Sequence, residues 1–236
     1  MTDHSSPLTR RKFIGNSGKI ATGGALAGIA LPVVHGKNDD TTKIALVGCG
    51  GRGTGAASNA LSVSLANGPT KIVAMADVVQ SKLDRSLNGL SQKHKEQVDV
   101  PAERQHIGFD GYRKAMDDLD PGDVVIFTSP CAFRWVHFEY AIKKSLHVFM
   151  EKPVTPDGFS SRKMLELNEK AKKKNLKVGV GLMCRHSQAR RELYARIKDG
   201  ELGEILNLRA YRMQGPVASC FTSKNTTDDS SLIHQI

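Results

Sequence analysis

The segment Gly48-Cys49-Gly50-Gly51-Arg52-Gly53 restricts the fold more than any other part of this 236-residue chain. It follows the short apolar run Lys43-Ile44-Ala45-Leu46-Val47 and precedes an Ala-rich stretch of helical character. A strand that reverses into a helix within a few residues needs glycine at fixed places. Gly48 permits the tight turn, Gly50 lets the backbone come close to a ligand, and Gly53 lets the helix pack closely on the strand. The first N–H groups of such a helix have no intrahelical partner and carry partial positive charge, which suits a pyrophosphate. Gly51 and Arg52 belong to the same turn and are expected to border the same phosphates.

A glycine turn also occurs for structural reasons alone, so the second requirement is an acidic residue closing the next strand. Asp77 meets it: it ends the run Lys71-Ile72-Val73-Ala74-Met75-Ala76 and lies 24 positions after Gly53. The spacing is close to the roughly 20 residues expected of a carboxylate that binds an adenosine ribose diol. Val78 and Val79 follow, with no Arg or Lys directly after Asp77 to meet a 2′-phosphate, which favours NAD over NADP. Lys82 and Arg85 keep NADP open. The competing reading is an ordinary strand–helix–strand turn with a surface aspartate.

The first forty residues are a different kind of sequence. Thr9-Arg10-Arg11-Lys12-Phe13-Ile14 resembles the twin-arginine export motif, Ile20 to Val34 is weakly hydrophobic and rich in Gly and Ala, and Val34-His35-Gly36 offers a cleavage region. Residues 1–36 are therefore expected to be a signal segment that sends the protein to the periplasm through the twin-arginine machinery, with a disordered basic tail as the alternative. That route carries folded cargo, and a protein that acquires a nucleotide in the cytoplasm needs such a route.

The net charge is +10 over the full sequence, and loss of residues 1–36 leaves a still basic chain. Its clearest basic run, Lys170-Ala171-Lys172-Lys173-Lys174, lies near the end of an expected helix, where cations complement the dipole. No aromatic platform or recognition motif accompanies it, so no nucleic-acid partner is expected. Cys49, Cys131, Cys184 and Cys220 are scattered without a CxxC pair or metal-ligand spacing, so neither a metal site nor a disulfide framework is expected, and the thiols read as buried or incidental.

From Lys43 onward, apolar runs alternate with helical patterns, which predicts a doubly wound α/β fold of Rossmann type: a parallel sheet with helices on both faces. Strands are expected at 43–47, 71–76, 123–128, 146–150 and 177–181, with a weaker one near His106. Leu83, Leu87 and Leu90 mark a helical stripe, and Asp120-Pro121-Gly122-Asp123 marks a turn. Asp157 is expected to cap a helix that turns Met164, Leu165, Leu167 and Ala171 toward the core, with Asn175 near its end. Beyond it, Arg190 to Lys198 reads as a helix ended by Gly200, and Glu204 to Met213 as a strand with Leu206, Leu208 and Ala210 on one face. The expected organisation is a nucleotide-binding domain over 41–182 and the start of a second α+β domain with an open sheet over 183–236.

A second cluster, Val148-Phe149-Met150-Glu151-Lys152-Pro153, sits at a strand end on the edge where doubly wound sheets bind ligands. Together with the glycine turn, Asp77, Thr128-Ser129-Pro130, His137 and Gly181-Leu182-Met183-Cys184-Arg185-His186, it resembles the Gfo/Idh/MocA family of oxidoreductases over about Lys43 to Gly215. The resemblance implies NAD (or NADP) as cofactor and a carbohydrate-like substrate. It also implies Lys152 as the residue nearest the reaction, in a partly desolvated cleft, with Ser129, Pro130 and Glu151 at the cofactor. Arg185 and His186 would face the substrate, with His186 alternatively a packed or exposed histidine. His137 reads as a core or supporting residue. Family members carry a downstream Asp-x-x-x-His segment whose His works with the Lys. It has no counterpart here, since Asp228, Asp229 and His234 have the wrong spacing.

Three functional readings follow. The first is an oxidoreductase acting on a sugar, polyol or related secondary alcohol, homo-oligomeric through its second-domain sheet if that sheet is complete. The second is an NAD-dependent glycoside hydrolase of the same family. The third is a truncated, non-catalytic nucleotide-binding module.

Overall fold

A computed structural model describes residues 41–63, 68–211 and 213. Six strands, β1 (Thr42–Val47), β2 (Thr70–Asp77), β3 (Gln105–Ile107), β4 (Val124–Phe127), β5 (His147–Met150) and β6 (Val178–Val180), form one sheet in the order β3-β2-β1-β4-β5-β6. Every pairing in it is parallel. The strand order reverses direction between β1 and β4, which opens a crevice at their carboxyl ends.

Among the described residues, seven α-helices accompany the sheet: α1 (Gly51–Leu61), α2 (Gln80–Lys93), α3 (Gly111–Asp117), α4 (Arg134–Lys143), α5 (Gly158–Lys173), α6 (Met183–His186) and α7 (Gln188–Lys198). Strands buried on both faces read as continuous apolar runs, and the faces are divided by alternation. Ile44 and Leu46 of β1 pack with Ala57, Leu61, Leu83 and Leu90 of α1 and α2. Ala45 and Val47 pack with Met116, Phe138, Ile142 and Leu167 of α3, α4 and α5. The register between β1 and β2 slips between Ile44 and Ala45, which pair with Ile72 and Ala74. The extra residue, Val73, lies with Ala74 in the α3–α5 layer, so the bulge restores the alternation that follows.

The expected strands and turn occur close to their predicted positions. Gly122 has φ +94°, and the carboxylate of Asp123 accepts N–H bonds from Asp120 (2.9 Å) and Lys43 (3.2 Å), tying the turn to β1. Asp157 caps α5, accepting from the Ser160 N–H at 2.7 Å, and Asn175 beyond its end takes φ +55°. Gly200 follows α7 with φ +89°.

Two expectations are corrected. Leu165 points away from the core and is 68% exposed, because the buried stripe of α5 is Ser160, Met164, Leu167 and Ala171. No strand occurs among the described residues of 204–213, and Leu206, Leu208, Tyr211 and Met213 are exposed. An apolar stripe becomes a strand only when another strand supplies its ladder of hydrogen bonds, and the described residues supply none. Residues 1–36, Cys220 and the tail with Asp228, Asp229 and His234 lie outside the described residues.

Candidate active site

Gly48, with φ +97°, carries the chain out of β1, and its N–H donates to the Ala76 carbonyl at 2.8 Å. A Cβ at Gly48 would lie 2.6 Å from the Ser129 backbone nitrogen, and one at Gly53 would lie 2.0 Å from the Gly48 carbonyl oxygen. Both glycines are therefore required by the packing of the turn against β4 and α1. A Cβ at Gly50 or Gly51 would meet nothing within 4 Å. That open space lies at the start of α1, whose cap is Gly50, with no side-chain cap bond and no acidic residue in the first turn. The helix thus keeps its leading N–H groups and its partial positive charge for an anion from outside the fold.

Asp77 closes β2 beside this turn. One carboxylate oxygen accepts the Cys49 N–H at 2.6 Å and the other the Val79 N–H at 2.9 Å. The aspartate therefore pins the glycine turn to the start of α2. Asp77 also lines a cavity of about 530 Å³ together with Gly48, Gly50, Lys82, Ser129 and Pro130, and a carboxylate has acceptor sites beyond the two these N–H groups use. Burial, reinforced by the Asp77 charge, pushes the Cys49 thiol well up, and the protonated Sγ donates to the Ala76 carbonyl at 3.4 Å.

The β4 end forms the opposite wall. Thr128 donates to the Gly48 carbonyl at 2.5 Å, locking the two strand ends together. Ser129 Oγ lies 3.2 Å from Nδ1 of His137, whose ring stacks on Tyr112 at 4.1 Å between centroids. His137 is buried, and burial followed by the nearby Arg134 charge pulls its pKa down to about 3, so it is neutral at ordinary pH. With Phe109, Phe133 and Val136 it gives the cavity an apolar end suited to a flat ring. Of this wall, sequence reasoning held Thr128, Ser129, Pro130 and His137. It missed Tyr112, Phe109 and Phe133, which come from loops and helices without a motif.

At the β5 end, Glu151 is 6% exposed and its carboxylate accepts from Nε of Arg52 at 3.0 Å, joining the glycine turn to the Glu-Lys-Pro segment. A Cβ at Gly181 would come within 2.6 Å of this carboxylate, so a larger residue there would have to displace the Glu151 side chain. Lys152 follows, exposed, without a hydrogen bond or ion pair to any described residue, and its peptide to Pro153 is cis. The partly desolvated surrounding expected for Lys152 is not formed by the described residues, because its side chain projects outward beyond the buried Glu151 and stays exposed. Arg185 and His186 are exposed on α6, beyond β6, and do not line the cavity. Cys184 is also exposed, unlike the buried Cys49.

Gly48, Gly50, Asp77, Ser129 and Pro130 thus share one cavity, Gly51 borders the groove between α1 and α2, and Arg52, Glu151 and Lys152 sit at the adjoining strand end. The groups present fit a dinucleotide: an open helix N-terminus with glycine backbone beside it, a carboxylate at the end of β2, and an apolar aromatic pocket.

Comparison with known proteins agrees. Inositol 2-dehydrogenase from Corynebacterium glutamicum is 31% identical over 116 residues, covering 49% of this chain and 34% of that protein. The solved structure of myo-inositol 2-dehydrogenase from Lactobacillus plantarum superposes with TM-score 0.54 at 19% identity over 70% of this chain and 43% of that one. Scyllo-inositol dehydrogenase from Lactobacillus casei, solved with bound NAD(H) and scyllo-inositol, gives TM-score 0.51 at 25% identity, with the same shares covered. The chain spans 34% to 42% of the length of the curated relatives it matches. The profile of the GFO_IDH_MocA oxidoreductase family, with its NAD-binding Rossmann fold, matches residues 42–182, more than half of the sequence, and the chain belongs to that family.

Proposed function

We propose that this protein is an NAD(P)-dependent oxidoreductase acting on a CH–OH group of a polyol or sugar, with inositols the first substrates to test. The observation that carries this reading is the convergence at one sheet edge of the glycine turn, Asp77, Ser129-Pro130 and the Glu151-Lys152 strand end. The inositol dehydrogenases among its relatives support the substrate class.

In this reading, the leading N–H groups of α1 and the backbone at Gly50 bind the pyrophosphate, and Asp77 accepts from the ribose hydroxyls. A bound nicotinamide supplies the hydride acceptor or donor. Lys152 Nζ takes the hydroxyl proton during oxidation and returns it during reduction. Arg52 neutralises the buried Glu151 and so fixes the backbone that presents Lys152. Asp77 favours NAD, since a 2′-phosphate would bring like charge beside its carboxylate, while Lys82 in the same cavity tempers that repulsion.

The test is a rate assay by NADH absorbance on inositol isomers and sugars, with NAD and NADP compared. Net NADH formation that disappears in Lys152→Met supports the reading. Sugar release from a glycoside without net NADH would replace it with the hydrolase, and tight NADH binding without turnover on any substrate would replace it with a binding module.

Export by the twin-arginine route is a second proposal, supported by Arg10-Arg11 ahead of the Ile20–Val34 stretch. A reporter fused behind residues 1–40 should reach the periplasm and should stay in the cytoplasm when both arginines are replaced by lysine. Homo-oligomerisation through a second-domain sheet, where that sheet is complete, is the corresponding proposal for assembly, read by light scattering.

A further inference from the structure

Arg134 is a costly residue in its place. It is 2% exposed and opens α4, so a cation stands both out of water and at the positive end of a helix. Burial pushes its pKa down, and no carboxylate bonds it among the described residues, since the Glu151 carboxylate is taken by Arg52. The guanidinium is held instead by two main-chain carbonyls: Nη2 donates to Ser129 at 2.6 Å and Nη1 to Glu151. Nε has no hydrogen-bond partner among the described residues.

Those two carbonyls locate what the charge is for. The Ser129 carbonyl heads the loop that walls the nucleotide cavity, and the Glu151 carbonyl belongs to the peptide that leads into Lys152. Only a planar fork spans both, because a lysine ammonium is a point donor on a flexible stem. We propose that Arg134 is a positioning residue that ties the Glu151–Lys152 peptide to the Ser129 loop, holding Lys152 at a set distance from the nucleotide cavity. This rests on the reading of Lys152 as the proton-transfer residue beside the nicotinamide.

The experiment uses the full chain and the variants Arg134→Lys and Arg134→Met, with thermal unfolding establishing that each is folded. Lys152 is labelled with an amine-reactive reagent with and without NADH, read by peptide mass spectrometry against exposed Lys198. NADH affinity is measured in parallel by fluorescence. In the wild-type protein NADH is expected to slow Lys152 labelling by about tenfold. In both variants protection falls to about twofold while NADH affinity changes less than about threefold, since a strand end displaced by about an ångström loses its register with a cofactor that still binds. Where turnover is measurable, kcat falls with KM little changed. Should Arg134→Met not fold, Arg134→Lys carries the test, because it retains the charge and one carbonyl contact. Absence of protection in the wild-type protein overturns the reading of Lys152 itself. Wild-type protection that persists undiminished in the folded variants overturns the tether alone, leaving Arg134 a structural cap.

Discussion

Gly50 and Gly53 lie three residues apart and meet opposite surroundings. At Gly53 a methyl group would sit 2.0 Å from a backbone oxygen, so Gly53→Ala should lower the melting temperature steeply and remove nucleotide binding with it. At Gly50 the space is open and φ is −70°, a value any residue adopts. Gly50→Ala should therefore leave the melting temperature of the nucleotide-free protein level or slightly higher, yet weaken NADH binding, because the methyl occupies room a pyrophosphate needs. Asp77→Ala should do both kinds of damage, stranding the Cys49 and Val79 N–H groups and removing the ribose acceptor. His137 sets a pH dependence. Its folded pKa lies near 3 against the usual 6.5, so below 6.5 the unfolded chain binds a proton that the folded one refuses. Stability from this group is whole above pH 6.5 and falls with acidification at up to about 1.4 kcal/mol per pH unit. Chemical denaturation across that window should show the slope, and His137→Gln should flatten it.

Helix α5 separates pattern from phase. Leu165 and Leu167 are both leucines in one amphipathic stretch, yet one is 68% and the other 3% exposed. Leu167→Ala should cost about 2–5 kcal/mol in a denaturant melt, whereas Leu165→Ala should stay within about 0.5 kcal/mol. The strands of the sheet were readable because a parallel sheet covered on both faces leaves uninterrupted apolar runs between turn residues. The segment 204–213 carries a strand's alternation without the neighbour that would realise it, which local pattern cannot reveal. The site divides the same way. Gly48, Gly53 and Asp77 announce themselves by spacing, since their roles are local to one strand–helix–strand unit. Arg134 does not: an arginine between Phe133 and Trp135 reads as a snorkelling surface residue. Only the fold brings the Ser129 and Glu151 carbonyls to its fork. Tyr112 and Phe109 reach the cavity across elements, so no spacing along the chain marks them.

At the scale of the whole molecule, the cavity stands where the sheet order reverses, and three strand ends are fastened across it. Thr128 holds Gly48, Arg52 holds Glu151, and Arg134 holds both Ser129 and Glu151. Such a prefastened edge should bind nucleotide with little rearrangement, and NADH at a hundredfold excess over its Kd should stabilise the fold by about 2.7 kcal/mol. The most direct measurement is a calorimetric titration of NADH into the wild-type chain beside Gly50→Ala, both verified as folded. One saturable site is expected in the wild type, weakened at least about tenfold in the variant with its melting temperature not lowered. A folded wild-type protein that takes up neither NADH nor NADPH, or a variant that binds as well as the wild type, would contradict the placement of the pyrophosphate at the start of α1.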